Sequence, residues 1–264
     1  MNLRDPQITS GEIRDLIRIG QFSGATSGMA PGHIQTNLVI LSSDDAFDFL
    51  LFCQRNPRSC PLLEVVESGS SEPTHMAPAA DLRSDLPKYF VYKDGTLVEE
   101  PTDISHIWNE DLVSFLIGCS FTFESALIAH GIPIPHYTQG KSPAMFTTTI
   151  PTEPAGIFAG PMVVSMRAIP QNKLVATIQI TAKFPQMHAA PIHIGNPSDI
   201  GINDISKPDF GDPVEVREGF IPVFWACGVT PQAVALSSKP SMMITHAPGH
   251  MFITDKKDSE LMEI

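Results

Sequence analysis

What this sequence has little of narrows its chemistry before any motif is read. Basic residues are scarce, 17 Lys and Arg against 29 Asp and Glu in 264 residues, giving a net charge of −12 with no basic run. That excludes nucleic acid as an expected partner, and the acidic balance serves solubility. No apolar run approaches the length of a membrane span, so no membrane partner is expected. Residues 1–6 lack the apolar centre of a signal peptide, so the expected location is cytoplasmic. The only cysteines, Cys53, Cys60, Cys119 and Cys227, form no CxxC pair; a structural zinc site is not expected, and in a reducing compartment all four stay thiols. Walker, dinucleotide, GxSxG and kinase signatures are all missing, which argues against nucleotide, NAD and α/β-hydrolase chemistry. What remains is acid–base or thiol chemistry on a small molecule, with no cofactor.

Proline and glycine, by contrast, are abundant at 24 and 18, and they cut the chain into short segments. The expected class is mixed α/β: mixed sheets with flanking helices, one unit over 1–264, built as two intertwined subdomains, 1–120 with 220–264 and 121–219. Thr9 and Glu12 form a capping box for a first helix ending near Gly20, and 22–32 is a loop. Residues 38–41 and 62–66 read as strands, 44–55 as an amphipathic helix stopped by Asn56-Pro57, and 88–99 as a hairpin turning at Asp94-Gly95. The apolar run 112–117 reads as a helix broken at Gly118. After residue 145 strands dominate: 162–169, 173–184, 220–226, 242–246 and 251–254. From Lys256 onward the chain is expected to fray.

Two corners carry the strongest chemical signal. In FWACGVTPQ (224–232) a buried strand ends at Cys227-Gly228, and a helix restarts with Thr230 as its cap and Pro231 at its first position. Such a corner aims backbone N–H groups at one point, suits a small anion and lowers the pKa of a neighbouring thiol. In GCSFTFE (118–124) Cys119 precedes a helix capped by Ser120 and ending at Gly131, with Glu124 one turn in. At each corner the alternative is a cysteine that merely fills the core. Arg167, near the end of an apolar strand beside Ser165, needs a partner: a substrate carboxylate, or an internal Asp or Glu. The pairs His188/His193 and His246/His250 point weakly to a metal, because Pro248-Gly249 rules out helical spacing; proton transfer by one or two of them is the stronger reading.

These blocks, with Gln35-Thr36-Asn37-Leu38, CQRNPRSCPLL (53–63) and Asp85-Leu86-Pro87-Lys88-Tyr89, resemble the D-glutamate cyclase family over nearly the whole chain. Bacterial members of that family are labelled hydro-lyases. The resemblance implies dehydration of D-glutamate to 5-oxo-D-proline. Family members often have Arg where this chain has Pro135, Pro where it has Ala168 and Gly where it has Ala189. On that reading Arg167 and the N–H groups of Gly228 to Thr230 hold carboxylates, with Ser165, His188 and Gln232 beside them. His193 or His246 is the general base, Glu124 or the other histidine the acid, and Cys119 or Cys227 a thioester nucleophile if the route is covalent. A thiol-dependent lactam or amide hydrolase and a non-catalytic carboxylate-binding protein are the alternatives. The expected partner is a small carboxylate, and the expected state a homo-oligomer.

Overall fold

The computed structural model describes residue 5 and residues 7–262; the rest of the 1–6 segment read for a signal peptide lies outside the described residues. Among the described residues eleven strands form two sheets, in which every pairing is antiparallel. The larger has the order β2 (Leu62–Val66), β5 (Leu112–Gly118), β1 (His33–Ser42), β10 (Met242–His246), β3 (Tyr89–Lys93), β4 (Thr96–Glu99), with β11 (Phe252–Lys257) also on β1. The smaller has the order β6 (Ala144–Pro151), β7 (Pro161–Pro170), β9 (Phe220–Ala226), β8 (His193–Ile194). The expected boundary at 219/220 falls just before β9, which pairs with β7 and β8 in the smaller sheet.

The helices are α1 (Ser10–Arg18), α2 (Ser43–Arg55), α3 (Phe121–Ala129), α4 (Pro135–Thr138), α5 (Leu174–Ala182) and α6 (Thr230–Ser238). α1 has the expected reciprocal Thr9–Glu12 capping box. α2 carries Asp44 and Asp45 in its first turn and Arg55 in its last, which complements the helix dipole, and buries Phe49, Phe52 and Cys53 at i, i+3, i+4. The β3–β4 hairpin turns through Asp94 (φ 50°) and Gly95 (φ 74°), the two left-handed residues of a type I′ turn.

Three local expectations fail for identifiable reasons. The 112–117 run is β5, a central strand, not a helix. Leu112 and Leu116 enter one core, Phe115 and Ile117 the core on the other face, so the alternation of a half-buried strand never appears. Residues 173–184 hold helix α5 rather than a strand: Thr177 and Thr181 donate their hydroxyls to the carbonyls of Lys173 and Thr177 (both 3.0 Å), and Leu174, Ala176 and Ile180 pack on the main core. Residues 256–260 are ordered, the end of β11 followed by a 3-10 turn, where fraying was expected.

One feature of β1 positions the site. Its first half pairs with β11 and its second with β10, so the two partners part near Asn37-Leu38. There the imidazole of His246, at the end of β10, takes the place of a strand partner: the Leu38 N–H reaches its Nδ1 at 3.2 Å. The main core lies between this sheet, the smaller sheet and α3, and it includes Leu38, Leu116, Phe123, Val223 and Trp225.

Candidate active site

Paired residues of an antiparallel sheet share a face. In the smaller sheet Ser165 pairs with Trp225 and Arg167 with Val223, so these four look toward the main core. Arg167 is fully buried, with its guanidinium 5.3 Å from the Phe123 ring and 5.7 Å from that of Trp225. Four of its five N–H donors are engaged. Nε and Nη2 meet Glu124 Oε1 at 3.1 and 2.7 Å, Nη2 meets Ser120 Oγ at 2.8 Å, and Nη1 meets Ser165 Oγ at 2.5 Å. Of the two partners open to this arginine in the sequence, the structure holds the internal one. Arg167 and Ser165, both expected against a substrate carboxylate, here bond to each other.

Glu124 is the centre of the arrangement. It is buried in the first turn of α3, and Oε1 also lies 3.0 Å from Nε2 of the buried His136. Burial pushes its pKa up, but His136 and Arg167 outweigh that and hold the carboxyl below its ordinary range. The resting group is therefore a carboxylate, where the role expected from the sequence is that of an acid. Glu124 also lines a cavity of about 260 Å³ with residues 28–33, Gln35, Phe121, Ser125, Ile128, Ala129 and Tyr137. His136 was not picked out as a site residue. It follows Pro135, which opens α4 where a missing N–H does no harm. The only signal was its neighbour's departure from the family pattern.

The two cysteine corners lie close enough for Cys119 to sense Cys227. Burial pushes both thiols up, and each lies in the field of Arg167; Cys119 also senses Cys227 and Glu124. This corrects the expectation of lowered thiol pKa values: the N–H groups of Phe121 and Val229 do oppose the shift, yet desolvation wins. At Gly228 to Thr230, the expected anion cradle, one N–H is turned inward. The Thr230 N–H bonds back to the Cys227 carbonyl (3.0 Å), and Gly228 packs so closely on the Asn37 amide that a Cβ would overlap it. Thr230 is the first residue of α6 and not its cap; its hydroxyl donates to the Cys227 carbonyl at 2.6 Å. Gln232 donates Nε2 to the His246 carbonyl at 2.8 Å and leaves Oε1 buried without a partner.

The histidines separate. His193 pairs with Phe224 on the face opposite Arg167, with its Nε2 2.7 Å from the Asn196 carbonyl, so the structure does not gather it into the site. His246 is buried with Nε2 unpartnered, and burial depresses its pKa to about 4. His188 is likewise buried and depressed to about 4 by burial; its Nδ1 lies 2.7 Å from the Arg58 carbonyl. It adopts φ 74° and is followed by Ala189 at φ 57°, where family members often have glycine, the residue suited to that conformation. Among the described residues no group of three His, Cys, Asp or Glu side chains is placed to hold a metal ion, and His250 turns its Nδ1 to the Pro248 carbonyl at 3.0 Å.

Comparison with known proteins agrees with the resemblance. The D-glutamate cyclase family model matches residues 113–255. A protein of Geobacillus kaustophilus named "Putative hydro-lyase GK2103" is 59% identical over 254 residues, 96% of this chain and 97% of its own. "Putative hydro-lyase YcsI" of Bacillus subtilis is 56% identical over 250 residues, 95% and 97% of the two chains. A Stutzerimonas stutzeri relative that also bears the hydro-lyase name is 54% identical over 254 residues, 96% of each chain. The chain belongs to the D-glutamate cyclase family. A nitrogen repressor-like protein from Methanococcus jannaschii, at 11% identity and a TM-score of 0.35 over 95% of this chain and 99% of its own, is too slight a likeness to carry function.

Proposed function

We propose that the chain is a hydro-lyase that dehydrates D-glutamate to 5-oxo-D-proline by acid–base catalysis. The observation that carries this reading is the Glu124 carboxylate, kept ionised by Arg167 and His136 on the wall of a cavity of about 260 Å³, a volume suited to a small ligand.

The reaction defines the work to be done. The substrate ammonium holds three protons and the product lactam N–H keeps one. The other two leave with one γ-carboxylate oxygen as water, so no proton is gained or lost overall. The site therefore needs a group that takes a proton from nitrogen and returns it to oxygen. An ionised carboxylate does the first, and in its protonated form it does the second. Arg167 and His136, both against Oε1, keep Glu124 charged at rest. The C–N bond forms as the neutral amine attacks the γ-carboxyl carbon, and the C–O bond breaks as water departs. Cys119 and Cys227, protonated at rest, favour this route over a thioester.

The reading is tested by proton NMR of the purified protein with D- and L-glutamate. Conversion of the D enantiomer alone, insensitive to thiol alkylation, is expected. Conversion of neither enantiomer overturns the substrate, and loss of activity on alkylation moves the chemistry to a cysteine.

A further inference from the structure

We propose that the cavity beside α3 is an ammonium site, in which Glu124 and Gln35 together receive a ligand's primary amine; this rests on the reading above only in naming an amino acid as the ligand. Gln35 lies on β1 and is buried, and it lines the same cavity as Glu124. Its amide orientation is fixed by its partners: Nε2 donates to the carbonyls of Thr26 (3.0 Å) and Met29 (3.1 Å). Exchanging the amide's oxygen and nitrogen would set oxygen against two oxygens, so Oε1 is the atom left over, and it is buried with no partner. A buried acceptor with no donor is incomplete.

Two residues that line one cavity and carry acceptor oxygens, one of them anionic, match a group that only donates. The rings of Phe121 and Tyr137 also line the cavity and suit a cation better than a second anion. The same cavity reaches His33, whose Nε2 lies 2.8 Å from Lys257 Nζ, so one positive charge stands near it to draw a carboxylate. A ligand carrying both an ammonium and carboxylates is thereby given a direction: its nitrogen toward Glu124, the group that must take its proton, and a carboxylate toward Lys257. Gln35 is a positioning residue in this arrangement.

Calorimetry with D-glutamate and with glutarate, the same dicarboxylate without its amine, tests the proposal. D-glutamate is expected to bind wild-type protein at least about tenfold more tightly, as a hydrogen-bonded charge warrants. Gln35→Leu is expected to close most of that gap while leaving glutarate unchanged. Equal binding of the two by the wild type, or a gap that survives the substitution, overturns it. Should Gln35→Leu not fold, the wild-type comparison decides alone. If the wild type binds neither compound, D-glutamate fails as the substrate, and saturation-transfer NMR with ethylammonium chloride decides the ammonium site. A signal that sodium chloride at equal ionic strength does not displace upholds the site; no signal overturns it.

Discussion

Three side chains with charge or latent charge, Arg167, Glu124 and His136, meet in a place with almost no access to water. Removing one partner from such a group is strongly destabilising, by about 3–5 kcal/mol, because a charge is stranded. Two other buried histidines act in the opposite sense. His188 and His246 have pKa values depressed to about 4, so the folded state keeps them neutral where the unfolded chain, near 6.5, takes a proton. The stability gained by keeping them neutral is whole above pH 6.5 and is lost as pH falls through the window from 6.5 to 4; by the lower limit the loss amounts to about 3 kcal/mol each. Glu124, depressed below the ordinary carboxylate range, adds its loss only at still lower pH. Urea midpoints measured at pH 7, 5.5 and 4 are expected to fall steeply, and more shallowly in His246→Gln; an unchanged slope in that variant contradicts the assignment.

At the scale of elements, the site depends on where strands end. Gly118 closes β5 directly under the loop that carries His188; a Cβ there would overlap the Gln186 carbonyl. Gly118→Ala is expected to push that loop away, to lower stability by about 1–3 kcal/mol and to reduce turnover, since Cys119 and α3 follow at once. Stability within about 0.5 kcal/mol of wild type in urea denaturation would show that the loop yields freely. The same ends explain what was legible in the sequence. Asn56-Pro57, Asp94-Gly95 and the Thr9–Glu12 box act over a few residues, and each was read correctly. β5 and α5 were misread because their identity is set by neighbours: β5 lies between β1 and β2, and the threonines of α5 find carbonyls one turn back. At the corners the residues were legible but their electrostatics were not. Whether a thiol is activated depends on burial from every side, which no local pattern records.

At the scale of the molecule, two sheets meet across a core that encloses the Arg167–Glu124 pair, and the chain returns from the smaller sheet to add β10 and β11 beside β1. That return sets His246 against Leu38 of β1, far from it in sequence, and brings the His246 carbonyl to Gln232. His193 takes the face of the smaller sheet opposite Arg167, which only the sheet pairing shows. Among the described residues no helix is long and apolar enough to cross a membrane. Glu124 is the group on which the account turns, so its neutral isostere is the direct test. With Glu124→Gln folded and stable, steady-state turnover of D-glutamate is expected to fall by about 10²–10⁴-fold, the range typical of a lost general base. Turnover at the wild-type rate, with the wild-type pH profile, would contradict the central claim.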